Sequence, residues 1–249
     1  MNKKLIKGGK LSSSNIKEFI KASYNNNEGY DTIGSYTKDK PLSNNEVLCY
    51  YNSSGDAVAV FRGTEGTATD WSNNAKYAVG LYDTTDRLAR AKESYKKIID
   101  KYGEKNVSLV GHSQSAVITK KLGQNAKEII NVNGASLGEK NLDNEYNIRS
   151  SSDVVSQVKP VSDVYNKVQD SKKNTLKSAA NWVLPKKYQF EKAKDTSSQN
   201  ITIPTENQFD PLTEHSADIL DRLPSDQMIG NGFRLIMPNL HSRIRLNHK

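Results

Sequence analysis

The stretch that most constrains this chain is residues 106–118, Asn-Val-Ser-Leu-Val-Gly-His-Ser-Gln-Ser-Ala-Val-Ile. A short run rich in β-branched residues, 107–110, stops at Gly111, and a small-residue segment with helical potential begins directly after Ser113. The pattern predicts a strand, a sharp turn and a helix. Such a turn holds the side chain at its apex clear of the sheet and leaves the next backbone N–H facing the same space. A serine there is a candidate nucleophile beside an oxyanion donor. The usual pattern is G-x-S-x-G, and Ser115 stands where the last glycine is expected. With Gly and Ser each at roughly 7% of residues, one G-x-S is expected by chance in a chain this long. The rest of the sequence must therefore supply the specificity.

A length of 249 residues suits one α/β domain with tails. Only 35% of the residues are hydrophobic and the mean hydropathy is −0.74, so the core must be compact and the loops polar. The formal charge of +8 points to anionic surroundings: phosphate headgroups, nucleic acid or an acidic partner. A lone cysteine, Cys49, excludes an internal disulfide and lies in an apolar run where a buried, inert thiol is expected. The four histidines, His112, His215, His241 and His248, show no metal-ligand spacing. Residues 1–10 are basic but have no apolar core of a signal peptide, and no stretch approaches 18 apolar residues. Neither Sec-type export nor a membrane span is expected, which implies a cytoplasmic location.

Along the chain, residues 13–24 carry Ile16, Phe19, Ile20 and Tyr24 at helical spacing behind a Ser-rich cap. Residues 25–45 are turn-rich and read as irregular. A hairpin is predicted from runs 46–51 and 57–61 around the turn 52–56. Residues 84–102 form a long amphipathic helix stopped by Gly103, and 129–132 and 146–148 read as further strands. Beyond Val158 the chain is polar, with a helix predicted around 175–184 carrying Trp182, a short strand at 200–204 and a helix start at Asp210-Pro211. Strands alternating with helices predict a largely parallel sheet covered on both faces.

Four landmarks stand in order: Phe61-Arg62-Gly63-Thr64 followed by Asp70-Trp71, then Gly111-His112-Ser113-Gln114-Ser115, then Ser152-Asp153-Val154-Val155, then Glu214-His215-Ser216. Together, over roughly residues 46–220, they resemble the class 3 lipases, the fungal-type branch of the α/β-hydrolases. The resemblance implies an α/β-hydrolase-like fold, with a mostly parallel central sheet and helices on both faces. It also implies a serine carboxylic-ester hydrolase acting on lipids without metal or organic cofactor. Its catalytic residues would be Ser113 as nucleophile, His215 as base and Asp153 as acid, with the Thr64 and Gln114 N–H groups as oxyanion donors. Asp163 is the alternative acid. Trp71 reads as a packing anchor. A lid falls within 73–86. The domain would span residues 13–223 with a polar insertion around 160–199, between a basic arm (1–12) and a basic tail (224–249).

The expected partners are a lipid or ester substrate and, through the basic surface, an anionic membrane. No nucleic-acid motif is present, and the oligomeric state is unspecified. Ile6-Lys7-Gly8-Gly9-Lys10 and Met228-Ile229-Gly230-Asn231-Gly232 read first as glycine turns; they also resemble cleavage sites of adenovirus-type maturation proteases, and cleavage there would make this a virion-packaged enzyme. The rival reading is a catalytically degenerate hydrolase fold that binds membrane or nucleic acid through its basic ends.

Overall fold

The computed structural model describes residues 11–25, 28–63, 86–135, 141–151, 153, 200–204, 214–226 and 228–229. Outside them lie Thr64, Trp71, Asp163, Trp182, His241 and His248, with most of the expected lid, the insertion 160–199 and most of both basic ends.

An eight-stranded sheet runs in chain order, from β2 (Thr32–Ile33), β3 (Tyr36–Lys38), β4 (Val47–Tyr51) and β5 (Ala57–Phe61) to β6 (Val107–His112), β7 (Glu128–Val132), β8 (Glu145–Ser150) and β9 (Asn200–Ile203). The joins from β2 to β5 are antiparallel and those from β5 to β9 parallel. The architecture is thus α/β with a mixed sheet. The antiparallel half follows from the β4–β5 turn, where Asn52 Oδ1 accepts from the Ser54 and Asp56 N–H groups, both at 3.0 Å, and Gly55 adopts φ +83°. The stretch expected to be irregular contains β2 and β3. Strands of two and three residues are too short to show a period, and their hairpin closes on Gly34 at φ +56°.

Each parallel join requires a crossover. Two of these are helices, α2 (Asp86–Tyr102) and α3 (Ser115–Leu122). Ala91, Tyr95 and Ile98 of α2 and Ile118 of α3 pack on one sheet face, against residues such as Cys49, Ala59 and Leu109. The opposite face is covered by α1 (Ser13–Tyr24), whose Ile16, Phe19 and Ile20 meet Leu48, Tyr50 and Val60. Alternate residues of β4 therefore enter different cores, and the central strands are buried on both sides. Cys49 is buried in the α2 face, and burial pushes its thiol up to about 12, as an inert thiol requires.

A ribbon closes the body: β1 (Leu11–Ser12) pairs antiparallel with β10 (Met228–Ile229), Leu11 opposite Ile229. These residues fall in the expected arm and tail, yet both Leu11 and Ile229 are buried. Ser12 leads from the ribbon into α1 and caps it, its Oγ accepting from the Asn15 N–H at 3.2 Å. Lys17 of α1 then pairs with Asp218, at 3.0 Å, and with Asp221 in the 3₁₀ turn Ala217–Arg222. The two ends of the chain's described part thus share one wall of the core. Among the described residues no helix is long and apolar enough to cross a membrane.

Candidate active site

In an open α/β sheet, chemistry collects beyond the carboxyl ends of the parallel strands. Here β6 ends in the sharp turn. Ser113 has φ +58°, a left-handed conformation costing a side-chain-bearing residue about 1–2 kcal/mol. The turn is held by its own backbone: the Ser113 N–H donates to the Val132 carbonyl at 3.1 Å, and the Ser113 carbonyl accepts from the N–H groups of Ala116 (3.2 Å) and Ala135 (3.0 Å). Gly111 makes room for α3 to fold back. A Cβ there would lie 2.8 Å from Asn131 Oδ1 and 2.9 Å from Thr119 Cγ2. The Ser113 hydroxyl is buried and has no hydrogen-bond partner among the described residues. Gln114 follows as the helix N-cap with helical angles (φ −61°, ψ −26°).

Asp153 lies just past β8, its N–H donating to the Ser150 carbonyl at 3.3 Å. Its Oδ1 is 2.6 Å from His215 Nδ1, and both residues are buried. A carboxylate only accepts, so the imidazole donates from Nδ1 and its basic nitrogen is Nε2.

The segment carrying His215 is held on two sides. The buried Glu214 carboxylate receives Arg222 in bidentate fashion, at 2.9 and 2.7 Å, and also accepts from the Ser150 hydroxyl. Asn133, at φ +46°, spans the gap between acid and base. Its Nδ2 donates to the carbonyls of Glu214 (2.9 Å) and Ser216 (3.2 Å), while its Oδ1 accepts from the Ser150 N–H at 3.0 Å. Asn tolerates that backbone conformation better than most residues.

His112 is not a second base. Its Nε2 lies 2.9 Å from the His215 carbonyl oxygen, which can only accept, so the proton sits on Nε2 and Nδ1 accepts from the Tyr24 hydroxyl at 2.8 Å. Burial, with the neighbouring His215 ring second, pushes the His112 imidazole down to about 4. Fixed in the neutral form, it ties the end of α1 to the backbone of the base. Gly63, at the end of β5, lies in the same junction. A Cβ there would come 2.9 Å from the His112 carbonyl oxygen and overlap the Tyr24 hydroxyl.

Ser115, the residue that departs from the usual turn pattern, is fully buried and bonded. Its Oγ accepts from the His112 N–H at 2.8 Å and donates toward the carbonyls of Phe61 (2.8 Å) and His112 (2.9 Å). It therefore links the end of β5 to the turn on β6, a bond glycine could not make. Ser115→Gly should lower the unfolding free energy by about 1–3 kcal/mol, because it strands buried polar partners. Urea denaturation checks this, and an unchanged midpoint would show the link contributes nothing.

The Asp153–His215 pair and the Ser113–Gln114 turn lie beyond the carboxyl ends of the parallel strands, but no hydrogen bond joins Ser113 Oγ to His215 Nε2, and Thr64 and the alternative acid Asp163 lie outside the described residues. The sequence reasoning missed Tyr24, Asn133, Glu214 and Arg222. Only Asn133 carried a signal, the Asn133-Gly134 turn dipeptide. Among the described residues no group of three or more His, Cys, Asp or Glu could hold a metal ion.

No protein-family model matches the sequence, and no curated protein matches it. Solved structures similar to this chain include a Rhizomucor miehei lipase–propeptide complex, at 12% identity and TM-score 0.42, covering 60% of this chain and 63% of that one. Others are a triacylglycerol lipase from Penicillium expansum, at 15% and 0.37 with 58% and 70% covered, and the Lip2 lipase of Yarrowia lipolytica, at 12% and 0.33 with 61% and 78% covered. The match spans less than two thirds of the Rhizomucor chain. At TM-scores below 0.5 none of the three decides the function, which has to come from the chemistry of the site.

Proposed function

We propose that this chain is a serine carboxylic-ester hydrolase of the α/β-hydrolase type, acting on lipid esters through an acyl-enzyme on Ser113. The observation that carries the reading is the combination of a serine at φ +58° at the end of β6, its buried hydroxyl without a hydrogen-bond partner among the described residues, with the buried Asp153–His215 pair at 2.6 Å, whose His215 ring centroid lies 5.1 Å from that of His112, the neighbour of Ser113. His215 Nε2 takes the Ser113 proton as Oγ attacks the ester carbonyl carbon. The tetrahedral intermediate collapses, the alcohol leaves with the proton from His215, and water repeats the sequence to release the acid. Thr64 and Gln114 are the oxyanion donors in this scheme. No metal or organic cofactor has a step in it.

A cleft of about 450 Å³ lies against His112 and His215, where a substrate chain could lie; its apolar walls are Ile20, Tyr24, Tyr30 and Ala217, and its polar ones Lys21, Asn25, Ser216 and Asp218. The positive net charge favours anionic interfaces.

A fluorophosphonate probe tests the activated nucleophile directly. The expected result is one covalent adduct, mapped by peptide mass spectrometry to Ser113, together with turnover of nitrophenyl butyrate. A folded protein that takes no label and binds polyanions in a salt-sensitive way would instead establish the degenerate, binding reading.

A further inference from the structure

Three successive carbonyls around the proposed base are each held by a side chain from the end of a parallel strand. His112, the last residue of β6, holds the His215 carbonyl from Nε2 at 2.9 Å. Asn133, the residue after β7, holds the carbonyls on either side, Glu214 at 2.9 Å and Ser216 at 3.2 Å. The other end of the Asn133 amide faces the acid. Its Oδ1 accepts from the Ser150 N–H at 3.0 Å, and the Ser150 carbonyl accepts from the Asp153 N–H at 3.3 Å. Carbonyls only accept and an N–H only donates, so these partners fix which way the amide points. Asn133 is wholly buried, and its own N–H is anchored on the Ile148 carbonyl at 2.7 Å.

One amide thus joins the strand end that leads to Asp153 to the two peptides that flank His215. The 2.6 Å bond between acid and base weakens steeply with misalignment, so it depends on both segments keeping their places. Arg222 docks the same segment through the side chain of Glu214, the residue before the base. Asn133 instead acts on the backbone on both sides of it. We propose that Asn133 is a positioning residue of the hydrolytic site: by bridging Ser150 to the Glu214 and Ser216 carbonyls it sets the alignment of the His215 imidazole with the Asp153 carboxylate. This rests on the hydrolase reading above. It adds a residue that governs the base without touching substrate.

Misplacement of a reacting group by about 1 Å can cost about 10²-fold in rate. Wild type, Asn133→Gly and Asn133→Asp are compared by nitrophenyl butyrate kinetics, fluorophosphonate labelling rate, thermal unfolding and the far-downfield proton resonance of the His215 Nδ1–H bonded to Asp153. Glycine adopts φ +46° freely, and the Glu214–Arg222 pair still docks the segment, so Asn133→Gly should fold. Its kcat should fall about 10–100-fold with KM within about twofold, the labelling rate should fall with it, and the downfield resonance should broaden or vanish. Asn133→Asp keeps the shape and the acceptor for Ser150 but sets a second acceptor against the Glu214 and Ser216 carbonyls, so a comparable loss of kcat is expected. A folded Asn133→Gly protein with kcat within about threefold of wild type, a loss confined to KM, or an unchanged downfield resonance overturns the proposal. Failure of both variants to fold overturns it too, because Asn133 would then be part of the frame alone. Wild-type protein that neither labels nor turns over overturns the hydrolase reading itself, whereas labelled wild type with an indifferent Asn133 overturns this assignment alone.

Discussion

Ser113→Gly is expected to abolish ester hydrolysis while making the protein more stable. The two effects share a cause. Ser113 sits at φ +58°, which costs a residue with a Cβ about 1–2 kcal/mol and costs glycine almost nothing. Its buried hydroxyl has no hydrogen-bond partner among the described residues, and an unmet buried polar group costs about 1–3 kcal/mol more. Against this, glycine gives the unfolded chain about 0.5–1 kcal/mol of extra entropy. The balance favours the variant by about 1–4 kcal/mol, a rise of roughly 2–16 °C in the unfolding midpoint for a chain of this size. Activity should fall by about 10⁴–10⁶-fold, the scale seen when an acyl-transfer nucleophile is removed. A melting curve and a kcat measurement on the same preparation check both halves. A variant that is inactive and also less stable would show that the turn stores no strain for the serine.

Asp153→Asn carries the second largest expectation, a fall in kcat of about 10⁴-fold with the fold intact. The 2.6 Å bond to His215 Nδ1 requires an acceptor at Asp153. An asparagine can turn its amide donor toward Nδ1, which stabilises the tautomer protonated on Nε2. The base then presents a hydrogen to Ser113 instead of a lone pair. Steady-state kinetics checks this, with circular dichroism to confirm folding. A loss below about tenfold would move the acid elsewhere, and Asp163 would be the residue to substitute next.

Much of the scaffold around these residues could be read locally. The serine-rich start and the apolar spacing of Ile16, Phe19 and Ile20 delimit α1 to the residues observed, 13–24, although the capping residue is Ser12, one before the expected start. The Asn52–Asp56 turn delimits the β4–β5 hairpin for the same reason: the information lies in side chains bonding their own neighbourhood. Ser113, Asp153 and His215 could be singled out because each sits in a short motif, and of these three the Asp153–His215 contact at 2.6 Å is the one the structure shows. What could not be read depends on partners far away in the sequence. The roles of Tyr24 and His112 come from a hydrogen bond spanning 88 residues, and Arg222 is useful only because Glu214 is buried beside it. Ser115 illustrates the limit most directly. From the sequence it is a departure from a pattern, whereas its bond to Phe61, 54 residues away, makes it part of the frame.

The β1–β10 ribbon has a mechanical consequence. Leu11 faces Ile229 and Ser12 faces Met228 in an antiparallel pair, so the chain enters and leaves the body at the same end of the ribbon. Tension applied across these two points would load the pairs one after another, as in a zipper, instead of shearing them together. Once Leu11 and Ile229 part, the load passes to α1 through Ser12, and α1 ends at the tyrosine that holds His112. Pulling on the ends of this body therefore acts, within one helix length, on the footing of its candidate active site.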